Sequence, residues 1–332
     1  MVAGSRFAIF GSNSFAGAAF VRRLLVEGVN VIGFNRSDEG SPIFLPYKWG
    51  HFSGQYRFVR ADINRDFDII RSNLELFRPT VVVDFAGQGM VAESWQHPEQ
   101  WYQTNIVGKV RLHEVLRSLR GLEKYVRIST PEVYGSADSL LKENWNFNPT
   151  TPYAVSHAAI DMSLRAYHKM YGLPVVYARF ANFYGPGQQL YRIIPRTIVC
   201  ALTSRKLPLQ GEGKSVRAFI FGSDVADAIL SAASRGQPGQ VYHFSPHEFH
   251  TIRDVVLMVA DALQVDFDNL VEQVPSRPSQ DRAYLMDSSR ARDELSWMPV
   301  TTLRSGIQQT IDWVKRNIDE IRGLSLDYFH KA

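Results

Sequence analysis

Cysteine is almost absent from this chain of 332 residues: Cys200 is the single one. One thiol excludes a disulfide framework within the chain and any cysteine-built metal site, and it suits a reducing compartment. The nine histidines are scattered, with no His-Glu-x-x-His or comparable spacing, so no metal is expected. Met1-Val-Ala-Gly-Ser-Arg6 leads straight into a short apolar strand and lacks the long apolar run of a signal peptide or membrane span. We therefore expect a cytoplasmic protein with no membrane partner. An excess of one charge is also missing. Lys+Arg 37 against Asp+Glu 33 leaves +4, and there is no Lys/Arg run, so nucleic-acid binding is not implied. That small positive balance would suit an anionic small molecule or carry no meaning at all. Internal repeats and low-complexity tracts are lacking as well.

What the chain does have is the 45% hydrophobic and 21% charged composition of an ordinary globule, with alternating apolar segments. Arg6–Phe10, Asn30–Phe34, Arg57–Val59, Val81–Phe85, Tyr125–Ile128 and Val175–Ala178 read as strands. Helical stretches fall between them: one through Leu25, then Phe67–Phe77, Glu99–Leu119 and Tyr153–Tyr171. This alternation predicts an α/β fold, a Rossmann-type doubly wound parallel sheet with right-handed crossovers. After Arg179 the pattern becomes irregular. A helix at Asp224–Ala233 and a strand at Gln240–Phe244 look like returns to the sheet, and helices near Ile252–Leu263 and Thr302–Asn317 follow. We expect a dinucleotide-binding domain over 1–178, with returns near 220–245, and a smaller C-terminal α/β substrate lobe over 179–332. The Gly-, Pro- and Ser-rich stretch 40–54 is expected as a loop beside the cofactor.

Gly11-Ser-Asn-Ser14-Phe15-Ala-Gly17 lies between the first strand and the first helix. Glycines there let backbone N–H groups approach a pyrophosphate, and the helix N-terminus favours its charge. Ser14 stands where glycine is usual but is small enough for close approach. The second strand ends Asn35-Arg36, with no acid for an adenosine ribose. A guanidinium there suits a 2′-phosphate, which favours NADP over NAD; the competing reading stacks Arg36 on adenine or leaves it in solvent. Asp62, followed by Ile63, is placed to meet the adenine amino group or to cap a helix. Two further segments carry chemistry. Ile128-Ser-Thr130-Pro-Glu132-Val-Tyr-Gly135 delivers a hydroxyl and a carboxylate from a strand end. Tyr153 and His157 are four residues apart, so one helical turn puts both on one face. With the glycine turn, these are the parts of an enzyme that oxidises a sugar hydroxyl with a nicotinamide cofactor, and Glu132 points to chemistry beyond oxidation.

Together these motifs resemble the extended short-chain dehydrogenase/reductase family, closest to its nucleotide-sugar 4,6-dehydratases of the dTDP-glucose and GDP-mannose types. The resemblance extends to Phe85-Ala86-Gly-Gln88, to Asn105, to Arg179-Phe-Ala-Asn182-Phe-Tyr-Gly-Pro186, to Arg217-Ala-Phe-Ile220 with Asp224, and to Arg277–Asp287 with Glu294–Pro299. It implies that Tyr153 takes the C4 hydroxyl proton while hydride leaves for the nicotinamide, that Thr130 holds that hydroxyl, and that Glu132 removes the C5 proton. Loss of the C6 hydroxyl and return of hydride to C6 would follow. It implies cofactor contacts at Gly11, Ser14, Phe15, Gly17, Asn35, Arg36, Asp62, Ile63, Ala86, Gln88, Asn105, Tyr153 and His157. Substrate contacts would come from Gln88, Asn182, Arg192, Arg217 and Arg282, with the base near Leu207–Gly211. It also implies a homodimer through a four-helix bundle built from Glu99–Leu119 and Tyr153–Tyr171.

The chain departs from that family at two positions. His157 replaces a lysine that holds the nicotinamide ribose and lowers the tyrosine pKa by its charge. Pro131 replaces the aspartate that glucose-type dehydratases often carry before the glutamate, as GDP-mannose dehydratases also do without it. Two alternatives stay open: an epimerase or decarboxylase of the same fold, or a sugar-nucleotide-binding protein with impaired catalysis. Glu132 counts against the 4-epimerases, which usually carry no carboxylate there.

Overall fold

A computed structural model describes residues 4–275 and 282–331 of the chain. Residues 277–281 of the Arg277–Asp287 segment lie outside the described residues. Among those described, seven strands form one parallel sheet. Six are β1 (Arg6–Phe10), β2 (Asn30–Asn35), β3 (Tyr56–Arg60), β4 (Val81–Asp84), β5 (Lys124–Ser129) and β6 (Val175–Phe180); the seventh is Val241–Phe244. Their order is β3-β2-β1-β4-β5-β6 and then Val241–Phe244, and every pairing is parallel. Phe7, Ala8, Ile9 and Phe10 are all fully buried, as expected for a central strand covered by helices on both faces.

The helices are α1 (Phe15–Val26), α2 (Phe67–Phe77), α3 (Pro98–Tyr102), α4 (Lys109–Ser118), α5 (Pro152–Tyr171), α6 (Ile193–Leu202), α7 (Gly222–Arg235) and α8 (Ile252–Leu263). α1 buries Phe20, Val21 and Leu24 completely against the sheet, each contributing about 1.5–3 kcal/mol. The order reverses between β1 and β4, whose registers pair Phe10 with both Phe34 and Asp84. A doubly wound sheet opens its ligand crevice at such a reversal, outside the carboxyl ends of the strands.

Glu99–Leu119 is not one regular helix. A π-helical segment, Gln103–Gly108, separates α3 from α4. The widened turn carries Asn105 inward to side chains and backbone of two other elements, and Gly108 lies so close to Asn64 that a Cβ there would sit 2.7 Å from its Oδ1. Helical periodicity in sequence does not reveal such an insertion.

A second apolar core gathers Ile198, Val256, Val259, Ile307, Ile311 and Val314 from α6, α8 and the helix Leu303–Arg316. α8 is capped reciprocally: the Thr251 hydroxyl accepts from Asp254 N at 3.0 Å, and the Asp254 carboxylate accepts from Thr251 N at 2.9 Å. Three short strand pairs lead to this core: Asn182–Tyr184 with Phe219–Phe221, Val216–Arg217 with His250–Thr251, and Leu207–Gln210 with Val271–Val274. The 40–54 stretch contains two single turns, Pro42–Phe44 and Pro46–Lys48. Its Tyr47 donates to Asn13 Oδ1 at 3.0 Å, and its Ile43 carbonyl accepts from Trp313 Nε1 at 3.2 Å, so it packs between the glycine turn and the second core.

Candidate active site

Gly11 follows β1 with φ +78°, and a Cβ there would lie 2.9 Å from Ala86 N and from Phe85 C. A Cβ on Gly17 would lie 2.2 Å from the Gly11 carbonyl oxygen. Both positions require glycine for space, and Gly11 for its backbone as well. Ser14 caps α1: its hydroxyl donates to the Gly11 carbonyl at 2.7 Å and accepts from Gly17 N at 3.1 Å. The side chain therefore closes the turn on itself. Phe15 and Gly17 are packing positions at the start of α1.

The crevice beyond this turn is lined by Gly11, Ser14, Asn35, Arg36, Asp62, Ile63, Ala86 and Gln88, among others. Asp62 lines the crevice, and its carboxylate accepts from Asn64 N at 2.8 Å; it does not cap the next helix, whose N-cap position is Asp66. The Asn35 side chain donates to the Ser37 carbonyl at 3.1 Å. Arg36 Nη2 and Gln88 Nε2 both donate to the Lys331 carbonyl, at 2.9 and 2.8 Å, so the C-terminal segment reaches across this crevice. Asn105 is fully buried behind it. Its amide accepts from Gln88 N at 2.8 Å and donates to Gln88 O and Ser156 Oγ, each at 3.0 Å. With both ends of the amide engaged by protein groups, Asn105 holds the crevice wall and does not face into it.

Tyr153 and His157 project from the first turns of α5. Thr151 caps that helix, accepting from Ala154 N at 3.1 Å, and Pro152 occupies its first position. The two rings are 4.5 Å apart between centroids. Thr130 directly follows β5 and its hydroxyl acts on the Tyr153 hydroxyl, while its Oγ1 also accepts from Glu132 N at 3.2 Å. Thr130, Glu132, Tyr153 and His157 thus come together. Burial first, then the Glu132 charge, raise the Tyr153 pKa above its ordinary value; the Thr130 hydroxyl and the Arg192 and Arg127 charges offset only part of that rise.

His157 carries no charge in this setting. Arg127 Nη2 lies 3.0 Å from its Nδ1. A guanidinium can only donate, so Nδ1 is the acceptor and the ring proton sits on Nε2. Burial, then the Arg127 and Lys109 charges, hold the His157 pKa well below its ordinary value. Position 157 therefore brings no positive charge of its own to Tyr153.

On the other side of Tyr153, Arg192 begins α6, exposed, its guanidinium 5.3 Å from the Tyr191 ring centroid. Arg217 stacks on Tyr284 at 4.3 Å and donates to the Arg282 carbonyl at 3.3 Å. Arg282 is exposed and 3.8 Å from Asp138. Backbone bonds from Ala137 N to Ala283 O (3.2 Å) and from Val216 N to Arg282 O (2.9 Å) tie this segment to the chain just beyond Glu132. Asn182 is exposed at the start of its short strand. Leu207 and Leu209, where the base was expected, are buried in the second core.

The family described as GDP-mannose 4,6 dehydratase matches residues 9–310. The chain belongs to this family of extended short-chain dehydrogenases/reductases. It is 31% identical over 335 residues to the dTDP-glucose 4,6-dehydratase of Xanthomonas campestris, covering 95% of each chain. Its fold matches the dTDP-glucose 4,6-dehydratase DesIV of Streptomyces venezuelae, solved with NAD bound, at a TM-score of 0.87 and 30% identity, covering 95% of this chain and 98% of that one. It also matches the UDP-glucose 4-epimerase of Thermus thermophilus in its NAD complex, at 0.84 and 27%, covering 93% and 99%. No helix among the described residues is long and apolar enough to cross a membrane, and none of their His, Cys, Asp and Glu side chains form a group able to hold a metal ion.

Sequence reasoning missed what lies behind Tyr153 in this dehydratase-family chain. Asp161 follows His157 by one helical turn and is fully buried. Its carboxylate accepts from Ser129 Oγ at 2.6 Å and from Arg179 Nη2 at 3.2 Å, and lies 3.4 Å from Arg127 Nε. Asp84 ends β4, fully buried, paired with Lys109 and accepting from the Tyr125 hydroxyl at 2.9 Å. The signal available in the sequence was Tyr153-x3-His157-x3-Asp161 on one helical face.

Proposed function

We propose that this chain converts a nucleoside-diphosphate hexose into its 4-keto-6-deoxy derivative: it is a nucleotide-sugar 4,6-dehydratase. The observation that carries the reading is the meeting of Thr130, Tyr153 and Glu132, with the carboxylate near enough to act on the tyrosine's ionisation. The residues of the crevice fit a nicotinamide dinucleotide. Added Cβ atoms would fill the space at Gly11 and Gly17, and the α1 N-terminus faces the same place with its favourable dipole. Gly11, Ser14, Asp62 and Gln88 would hold it. When bound, its nicotinamide would accept hydride from sugar C4 and give it back at C6.

The chain's own groups move the protons. Tyr153, as phenolate, takes the C4 hydroxyl proton, and Thr130 orients that hydroxyl. A C4 ketone makes the C5 proton acidic, and Glu132 removes it. The C6–O bond then breaks as the C5–C6 double bond forms. Pro131 has no proton to give, so the proton gained by Glu132 passes to the departing hydroxyl, which leaves as water; once hydride is back at C6, C5 takes a proton from solvent through Glu132 to complete the product. Arg192, Arg217 and Arg282, with Asn182, would grip the diphosphate, a dianion for which guanidinium forks are suited.

Three finer readings accompany this one. NADP is favoured over NAD, because Asn35-Arg36 replaces an acid at the end of β2 and Arg36 lines the crevice. A homodimer through α3–α5 is supported by the exposure of Tyr102, Val107, Val155, Met162, Met170 and Tyr171 along those elements. The single cysteine, buried and with no second cysteine in the chain to pair with, suits the cytoplasm.

Replacing Glu132 with Gln tests the mechanism. Water loss should fall by about 10²–10⁴-fold, the scale of general acid–base assistance, while C4 oxidation persists. Under single turnover with a panel of nucleotide sugars, reduced nicotinamide should then accumulate. Normal dehydration by this variant removes Glu132 from the mechanism; binding without any turnover in the wild type favours the impaired sugar-nucleotide binder.

A further inference from the structure

Position 157 holds a neutral histidine where this family has a charged lysine, yet a buried cation sits directly behind it. Arg127 projects from β5, 1% exposed. Its Nη1 donates to the Ile128 carbonyl at 2.6 Å, its Nη2 to His157 Nδ1 at 3.0 Å, and its Nε faces Asp161 Oδ1 at 3.4 Å. Both Nη groups thus have hydrogen-bond partners, which orient the guanidinium plane, while Nε makes an ion pair with Asp161 but no hydrogen bond.

The surrounding charges do not cancel. β4 contributes Asp84; α4 contributes Lys109 and His113; β5 contributes Tyr125 beside Arg127; α5 contributes Asp161; and β6 contributes Tyr177 and Arg179. The ion pairs join three cations, Lys109, Arg127 and Arg179, to two carboxylates, Asp84 and Asp161, all of them at most 1% exposed. Burial alone would lower the Arg127 pKa, but Asp161 and Asp84 outweigh it, so the guanidinium stays ionised. His113 stays neutral, because burial drives its pKa down to about 3. One positive charge is left over behind Tyr153 as long as Lys109 is protonated, and burial brings the Lys109 pKa down to about 8. The Glu132 and Arg192 charges also act on Tyr153, the first raising and the second lowering its pKa.

We propose that Arg127 is a positioning residue of the active site: it fixes His157 in the neutral Nε2–H form and supplies from β5 the buried positive charge that lysine at position 157 supplies in this family. Histidine at 157 then keeps a hydrogen-bond donor facing away from Arg127, and the charge stands one residue layer further back. The two positions work as a pair. This inference rests on the dehydratase reading for its catalytic consequence, but not for the state of His157.

Two measurements test it. In the first, nitrogen-15 NMR of histidine-labelled protein, with His157 assigned through H157Q, reads the ring directly and needs no turnover. The proton should remain on Nε2, without titration, between about pH 5.5 and 9, a range that spans the ordinary histidine value of about 6.5. Titration near that value, or a proton on Nδ1, overturns the proposal.

The second measurement follows reduction of the bound nicotinamide by nucleotide sugar against pH. Loss of the charge in R127M should move the rising limb of the profile upward by about one unit or more, and slow the reaction about tenfold or more below that limb, with little change in KM. R127K should keep the limb near its wild-type position. In R127M/H157K the charge returns at position 157, and the limb should return with it. H157K alone sets a second cation against Arg127 and removes its acceptor, so it should be slower than the double variant. A wild-type limb in folded R127M overturns the proposal, as does H157K matching or exceeding R127M/H157K. Should R127M fail to fold, R127K and the double variant decide by the same two criteria. If no nucleotide sugar reduces the nicotinamide in wild type, the dehydratase reading falls and takes the catalytic role of Arg127 with it; failure of the NMR result alone leaves that reading standing.

Discussion

The glycine turn after β1 and the ion cluster among β4, β5, β6 and α5 serve one site, and they are built differently. The turn contains no charged side chain. It works through room for backbone, with added Cβ atoms at Gly11 and Gly17 excluded at 2.9 and 2.2 Å, and through the exposed N–H groups of a helix start. The cluster leaves little room and no water contact: Asp84, Lys109, Arg127, Asp161 and Arg179 are at most 1% exposed. A crevice for a ligand needs donors that remain available until the ligand arrives. A charge that acts on a nearby phenol needs partners that keep it dry and fixed. The first requirement is met by local backbone. The second needs residues brought together by the whole fold.

The largest effect should come from breaking the cluster at a buried pair. Lys109→Met leaves the Asp84 carboxylate without its cation, supported by the Tyr125 hydroxyl and by Ala86 N at 3.0 Å. An unpaired buried carboxylate costs about 3–5 kcal/mol. Asp84→Asn with Lys109→Met should recover much of that loss, because the charge that needed a partner is gone. Urea unfolding midpoints of the three proteins check this; a loss under about 1 kcal/mol in the single variant would show that the pair is dispensable.

The opposite region should respond mainly in ligand binding. Gly17→Ala forces a methyl group onto the Gly11 carbonyl, 2.2 Å away. Overpacking of this kind costs about 1–3 kcal/mol, and because it displaces the turn that meets the pyrophosphate, the cofactor Kd should rise roughly 10–100-fold. Ser14→Ala removes the helix cap but keeps the room, and should cost about 1 kcal/mol in stability with a smaller change in Kd. Titration calorimetry with thermal unfolding separates the two. Equal Kd changes in both variants would mean that room is not what the turn provides.

This contrast also explains what the sequence disclosed. The alternation of strands and helices, the turn 11–17, and the four-residue step from Tyr153 to His157 are local patterns, and local patterns survive in a linear text. Thr130 and Glu132 were legible because a strand end delivers them together. The charge state of His157 was not, because it is set by Arg127, 30 residues away in sequence. Lys109 and Asp84 are separated by 25 residues, Gln88 and Lys331 by 243. The π-helical break at Gln103–Gly108 is hidden for a related reason: it depends on where Asn105 finds Gln88 and Ser156, not on the periodicity of its own segment. Asn105 was expected as a cofactor contact, and its amide is committed to protein groups.

The smallest effect concerns the end of β2, where the two kinds of construction meet: a charged side chain at the edge of the backbone-built crevice. Arg36 donates to the neutral Lys331 carbonyl at 2.9 Å. A 2′-phosphate would offer the guanidinium a charged acceptor in its place. Charge-assisted bonds contribute about 1.5–3 kcal/mol and neutral ones about 0.5–1.5, so the exchange should favour NADP by only about 1–2 kcal/mol, roughly 5–30-fold. Arg36→Asp reverses the sign. Its carboxylate accepts from a free ribose 2′-hydroxyl and repels a phosphate, so NAD should become the tighter ligand. Kd values for both cofactors, in both proteins, test this at one pH and ionic strength, since an exposed phosphate contact weakens with salt. A wild type that already prefers NAD strongly would sink the assignment of Arg36. Unchanged preference in Arg36→Asp would place the discrimination elsewhere along the crevice, with Asn35 the nearest polar side chain on the same strand end.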